Sequence, residues 1–215
     1  MRSCQDWLSI VLPTRQSEPI IQTMISAILL AAGESKRMGK PKQLMPWGKS
    51  TILVQAIDNL KSSTVDEIIV VLGYKAEEIA KTITTKPVKI AINPDYKQGM
   101  STAIIAGLKL VSSQPQAVML ALGDQPLVDS QTINRLIDEF YNHDKGIVIP
   151  TYQGKRGHPV IFAIKYKPEL LELKGDIGAR EIIKNHPGDT LEVAVDSESV
   201  ISDIDTRSDY QSQLG

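Results

Sequence analysis

Lys36, Arg37, Lys40 and Lys42 concentrate positive charge within seven positions, in a segment that opens with the small residues Ala31, Ala32 and Gly33. Small side chains let backbone N–H groups approach a phosphate or a base closely, and the four cations supply counter-charge. Leu30 to Leu44 is therefore a candidate polyphosphate grip. It is not a P-loop, whose glycines enclose four residues and are followed by Lys-Ser/Thr. Here Gly33 and Gly39 enclose five, and Lys40 precedes Pro41. No G-x-G-x-x-G is present in this loop either. A solvated basic loop is the plain alternative, and the position directly after the first strand weighs against it.

Two aspartates stand where a cation would be useful. Asp124 closes the wholly apolar run AVMLAL. Mg²⁺ prefers oxygen ligands, keeps several waters and commonly binds one or two carboxylates plus substrate phosphates, so Asp124 is a candidate metal ligand. It could equally start a turn or cap a helix at Ser130. Asp205 follows alternating residues that read as a last strand, and it could complete the metal site with Asp124. The competing reading is a capping box, with Asp205 or Thr206 as the cap and Asp209 at capping distance. His158, between Gly157 and Pro159, could face a ligand or serve as a hydrogen-bonding residue at a strand entry. His143 and His186 fall near helix ends, and no two histidines have ligand spacing, which argues against a metal-hydrolase site.

These residues need elements that bring them together. Ile25–Ala31 reads as a strand, followed by helix 51–60, strand 67–72, helix 76–83, strand 88–92, helix 102–110, strand 117–122, helix 131–141 and strand 146–150. Repeated strand-helix alternation with continuously apolar strands predicts an α/β fold, a three-layer α/β/α sandwich around a mainly parallel sheet. Beyond 150 the rhythm changes, with strand 160–164, helix 179–184 and strand 191–195, and this half is expected to hold an acceptor. In open α/β sheets ligands bind outside the carboxyl ends of strands, where the basic loop and Asp124 both fall.

The 215 residues, 42% hydrophobic, suit a single domain at 24–215, preceded by a dispensable N-terminal extension at 1–23. Twenty-four basic and 25 acidic residues give a formal charge of −1, so no global field points to nucleic acid or an anionic membrane. Cys4 is the only cysteine, which excludes an internal disulfide and fits a reducing, cytoplasmic setting. The longest nearly apolar run, 25–32, is far below the roughly 20 residues that span a bilayer.

Taken in order, LAAG-x-S-x-RMG-x-PKQL at 30–44, VVLGY at 70–74, N-P-D-Y-x-x-GM-S at 93–101, LGDQP at 122–126, RGHPV at 156–160, GD-x-GAR at 175–180 and DIDT at 203–206 resemble the MobA-like nucleotidyltransferases. Within them the chain is most similar to the molybdenum cofactor cytidylyltransferases. The first motif is shared with sugar-phosphate and methylerythritol-phosphate nucleotidyltransferases, and the later segments point to the molybdenum-cofactor branch. The resemblance implies a Rossmann-like sheet of the nucleotide-diphospho-sugar transferase type and CMP transfer from CTP to the phosphate of a molybdopterin-type acceptor, with pyrophosphate released. It implies Arg37 and Lys42 as charged grips and Asp124 as a Mg²⁺ ligand. Leu30, Ala31, Ala32 and Gly33 would line the nucleotide, with Gly73, Asn93 and Ser101 near base and ribose. His158, Asp176 and Arg180 would face the pterin. Guanylyl-transferring relatives tend to carry glycine where Ala32 stands, which favours CTP over GTP. A transient contact with a molybdenum hydroxylase or its maturation factors is also implied. Alternatives are guanylyl transfer to the same acceptor, transfer to a sugar or polyol phosphate, and a non-catalytic carrier of the cofactor.

Overall fold

A computed structural model of the chain describes residues 24–112 and 115–214, so the extension expected at 1–23 lies outside the described residues. In chain order the elements are β1 (Ile25–Ala31), β2 (Pro46–Trp47), β3 (Ser50–Thr51), α1 (Ile52–Lys61), β4 (Glu67–Leu72), α2 (Ala76–Thr82), β5 (Lys89–Ile92), α3 (Met100–Leu108), β6 (Ala117–Leu122) and α4 (Ser130–Asn142). Then follow β7 (Ile147–Tyr152), β8 (Lys155–Arg156), β9 (Val160–Ala163), α5 (Lys167–Leu171), α6 (Arg180–Asn185), β10 (Thr190–Ala194) and α7 (Arg207–Leu214).

The main sheet runs β10-β7-β9-β6-β1-β4-β5, with β8 paired to β7, while β2 and β3 form a small hairpin. Strand periodicity sends alternate side chains of β1 to opposite faces. Ala27, Leu29 and Ala31 join one core with Leu53 and Ile57 of α1, Ile79 of α2 and Leu136 of α4. Ile28 joins the other core with Ile104 of α3, Leu170 of α5 and Ile183 of α6. Two buried layers on one sheet make the three-layer sandwich. Pairing is parallel except where β9 runs antiparallel between β6 and β7, and in the β7–β8 hairpin. Residues 153–159, which join β7 to β9, are too few for a parallel crossover of a dozen or more residues, so the chain must reverse.

β1 leads outward to β4 and β5, after which the chain returns to place β6 on the other side of β1. That reversal is a topological switch point, where strand ends part and leave a crevice. Leu30 pairs with Leu122, and Gly123 N donates to Leu30 O at 2.9 Å, so the loops after β1 and β6 leave the sheet side by side. A Cβ on Gly123 would stand 2.9 Å from Ala31 Cβ, closer than such carbons approach, and glycine there lets the two strand ends touch.

The expected strand around Asp205 is absent. Residues 198–201 form a 3₁₀ turn and 202–205 run without regular structure. Alternation is not what holds this stretch. His158 N donates to Val200 O at 2.8 Å, Ile204 N donates to Asp124 O at 3.0 Å, and fully buried Ile204 packs with Met38, Met45 and Ile52. Ile204 therefore serves a small core that ties the C-terminal segment to the loop after β1, while Val200 packs in the main core.

Candidate functional site

The loop after β1 is held from within. Gln43, almost wholly buried, donates through Nε2 to Ala31 O at 2.9 Å and Gly33 O at 3.2 Å. Ser35 sits at φ 53°, the left-handed region, and its Oγ accepts from Lys42 N at 3.1 Å. Non-glycine residues in that region cost free energy and persist where neighbours over-determine them. Here the result is a loop folded back so that Lys42, in a 3₁₀ turn, points at the end of β6.

Lys42 Nζ lies between two carboxylates, donating to Asp124 Oδ2 and to Asp205 Oδ1, the latter at 2.9 Å. Arg37 Nη2 donates to Asp205 Oδ2 at 2.6 Å. Burial opposes the charge on Lys42, but Asp124 and Asp205 outweigh it and raise its pKa above the usual lysine value. Burial likewise disfavours the Asp205 carboxylate, yet Lys42 and then Arg37 hold it below the ordinary range. The capping alternative for the C-terminal acids is realised, but not by Asp205. Thr206 and Asp209 form the capping box of α7, with Thr206 N donating to Asp209 Oδ2 at 2.7 Å and Asp209 N to Thr206 Oγ1 at 3.2 Å. That leaves the Asp205 carboxylate to the cations. Asp124 caps nothing, because Asp129 accepts from Thr132 N at 2.8 Å and starts α4.

Two carboxylates and two cations balance in charge, but one oxygen is unmatched. Asp124 Oδ1 is buried without a hydrogen-bond partner. A buried carboxylate oxygen left so is costly, and a hard cation is a natural complement to it. The pair Asp124 and Asp205 therefore fits a divalent ion with few protein ligands that completes its shell with water and phosphate. Among the described residues no group of three or more His, Cys, Asp or Glu side chains forms a preassembled metal cage.

Beside this cluster lies a cavity of about 580 Å³. It is lined by apolar side chains, Ile104, Leu120, Ile149 and Phe162 among them, and by polar ones that include His158, Arg180 and Asp203. Both halves of the chain line it, not the second alone. Leu30, expected at the nucleotide, lines the same cavity as His158, Asp176 and Arg180, expected at the acceptor. Burial, reinforced by Arg180 and opposed by Asp124, pushes His158 down to about 4. It is a neutral imidazole at neutral pH. Asp176 also has a local task, since its Oδ1 accepts from Met100 N at 3.0 Å at the start of α3.

The remaining residues have tighter packing roles. Ala31 and Ala32 are buried in the two cores, while Gly33 is exposed. A Cβ on Gly73 would meet Tyr96 Cβ at 2.6 Å and Ala32 O at 2.7 Å, so glycine there permits the end of β4 to lie against the β1 loop. Asn93 is buried, donates to Thr102 Oγ1 at 2.9 Å and accepts from Asp95 N at 3.1 Å. It lines a groove along β5 and α3 and not the large cavity. Ser101 is buried, its N–H donating to Gly175 O at 3.1 Å. Gln43, Gln125 and Asp203 were not singled out from the sequence. Gln125 Nε2 donates to Asp203 Oδ1 at 2.7 Å and Val200 O at 3.2 Å, holding the DIDT segment against the end of β6. All three stand inside the quoted motifs, next to the residues that were chosen.

The family model described as MobA-like NTP transferase domain matches residues 27–191. The chain is 29% identical over 192 residues to the nicotine blue oxidoreductase of Paenarthrobacter nicotinovorans, covering 85% of this chain and 92% of that one. It is also 29% identical over 187 residues to the molybdenum cofactor cytidylyltransferase of Escherichia coli strain K12, covering 86% and 93%. The crystal structure of Rv0371c from Mycobacterium tuberculosis H37Rv superposes with a TM-score of 0.81 at 30% identity over 89% of this chain and 98% of that one. A second structure of Rv0371c, in complex with manganese, matches with a TM-score of 0.77.

Proposed function

We propose, because the chain belongs to the MobA-like NTP transferase family, that it transfers CMP from CTP to the phosphate of a molybdopterin-type acceptor and releases pyrophosphate. The observation that carries this reading is the placement of the Lys42–Asp124–Asp205–Arg37 cluster, one carboxylate oxygen unmatched, beside a large cavity lined by both apolar and polar side chains. Two similarly close relatives bear names of different chemistry, a transferase and an oxidoreductase, so overall similarity does not choose between them. Paired carboxylates with two cations at a switch point suit polyphosphate chemistry better than hydride transfer.

In the proposed reaction an oxygen of the acceptor's phosphate attacks the α-phosphorus in line. One P–O bond forms there as the α–β anhydride bond breaks, and pyrophosphate leaves with the electron pair. A phosphate monoester is largely ionised at neutral pH, so no general base is required, and neutral His158 suits a hydrogen-bonding role better than proton removal. Positioning and electrostatic stabilisation carry the catalysis, as they do in phosphoryl transfer generally. Arg37 and Lys42 neutralise charge on the departing pyrophosphate, and the small residues after β1 admit the nucleotide to the backbone. Asp124 and Asp205 would hold Mg²⁺, which when bound supplies Lewis-acid polarisation of phosphate oxygens. His158, Arg180 and Asp176 surround the acceptor in the cavity.

Pyrophosphate release with Mg²⁺ and a molybdopterin-type acceptor, run in parallel with CTP, GTP, ATP and UTP, tests this. Release with CTP alone supports cytidylyl transfer and the base preference together. Release with GTP alone reverses the Ala32 argument, and silence with all four moves the acceptor to another phosphate or the protein to a carrier role.

A further inference from the structure

Lys42 occupies an unusual position for a residue assigned to a triphosphate. Its ammonium lies between Asp124 and Asp205, and its side chain is only 13% exposed, so the carboxylates that would hold a divalent ion already share a cation. Arg37 takes the second oxygen of Asp205. The two candidate ligand carboxylates are already matched by one ammonium and one guanidinium, with the Asp203 carboxylate within electrostatic reach of Lys42, Asp124 and Asp205. A divalent ion arriving alone must expel the ammonium from its two partners and crowd positive charge into a half-buried site. Like charges brought together in that setting repel strongly.

A nucleoside triphosphate changes the balance. Lysine is a compact charge on a flexible four-carbon stem, so Nζ can leave the carboxylates by side-chain rotation while the 3₁₀ turn stays in place. The triphosphate offers it new oxygens, and the vacated carboxylates, together with the orphaned Asp124 Oδ1, accept the metal. Building on the nucleotidyl-transfer reading of the site, we infer that Lys42 is a resident counter-ion that keeps the metal site closed until nucleotide draws it away, so that divalent ion and nucleotide bind cooperatively and the ion alone binds poorly. Linkage makes the coupling reciprocal, because nucleotide tightens metal by the same factor that metal tightens nucleotide.

The test is Mn²⁺ binding to the full chain without acceptor, followed by water-proton relaxation enhancement, which separates Mn²⁺ on the protein from free Mn·CTP. In the wild type Mn²⁺ alone should bind at least about tenfold more weakly than with CTP, within the usual range of coupling between sites. Lys42→Met should tighten binding of Mn²⁺ alone by about tenfold or more and close most of that gap. Lys42→Gln, uncharged but polar, should do the same and serves if the methionine variant melts early. Lys49→Met removes an exposed charge from the turn between β2 and β3, outside the grip and without touching either carboxylate, and should behave as wild type. If Mn·CTP binds but neither Lys42 variant tightens Mn²⁺ alone, the counter-ion role is wrong and the transferase reading stands. Equal tightening by Lys49→Met would reduce the effect to a general field and overturn it too. If no form holds Mn²⁺ with CTP or GTP, both readings fall.

Discussion

At Asp124 one carboxylate oxygen holds Lys42 and the other is buried with no partner, an arrangement that is unfavourable unless something else binds there. The charged residues around it were legible in the sequence because they gather in the loops leaving the carboxyl ends of β1 and β6, where open α/β sheets bind ligands. Losing one preorganised charged contact of this kind costs about 10²–10³ in turnover, so Arg37→Ala and Asp124→Ala should each lower kcat by that factor in a pyrophosphate-release assay. Near-normal turnover in both would remove their assigned roles. His158 was ambiguous from sequence, since its surroundings decide its charge. Its folded pKa, about 4, lies below the ordinary 6.5, so as pH falls the unfolded chain takes up the proton first. The stability it contributes is complete above about 6.5 and is lost progressively as pH falls to about 4. Imidazole resonances followed by NMR should show His158 untitrated between pH 8 and 6, and an inflection near 6.5 would contradict the buried, uncharged site.

At the scale of elements, alternation of strands and helices was plain in the sequence, and β1, β4 and β6 span the residues it predicts. What alternation could not show was direction or partnership. β9 is antiparallel because its connection is short, and the lone apolar residue of 202–205, Ile204, feeds a small core and not a strand. Gln43 was invisible for a similar reason: a polar side chain in a basic loop looks solvated until the loop folds over it. Gln43→Leu strips Ala31 O and Gly33 O of a buried donor, at a cost of about 1–3 kcal/mol. For a domain of this size each kcal/mol lowers Tm by about 2–4 °C, which calorimetry would read directly. An unchanged Tm would show that the loop is braced by other means. Asp209→Ala removes one half of the α7 capping box and should lower Tm in the same experiment while raising KM for nucleotide, because α7 anchors the segment carrying Asp205.

For the whole molecule, the sheet's reversal at β1 and β6 brings together residues more than 160 positions apart, Arg37 and Asp205 among them. Far from that site the sheet is clamped at Glu67, which accepts from Ser26 Oγ and Ser112 Oγ, each at 2.7 Å, and pairs with Lys89. Burial alone would raise its pKa, but Lys89 and the two serines hold it down to about 2. The stabilisation is therefore full above about 4.5 and disappears as pH falls to about 2. Urea denaturation should show Glu67→Gln clearly less stable than wild type at pH 7, with the two curves converging toward pH 2. A constant difference across that range would contradict the clamp. The central claim, that the assembled strand ends move a nucleotidyl group, is tested most directly by following label from the α-phosphate of CTP in the presence of Mg²⁺ and a molybdopterin-type acceptor. The α-label should appear in a covalent adduct with the acceptor while γ-label leaves in pyrophosphate, and both should cease in Asp124→Ala. Release of α-label only as free CMP, or transfer of γ-label to the acceptor, would contradict it.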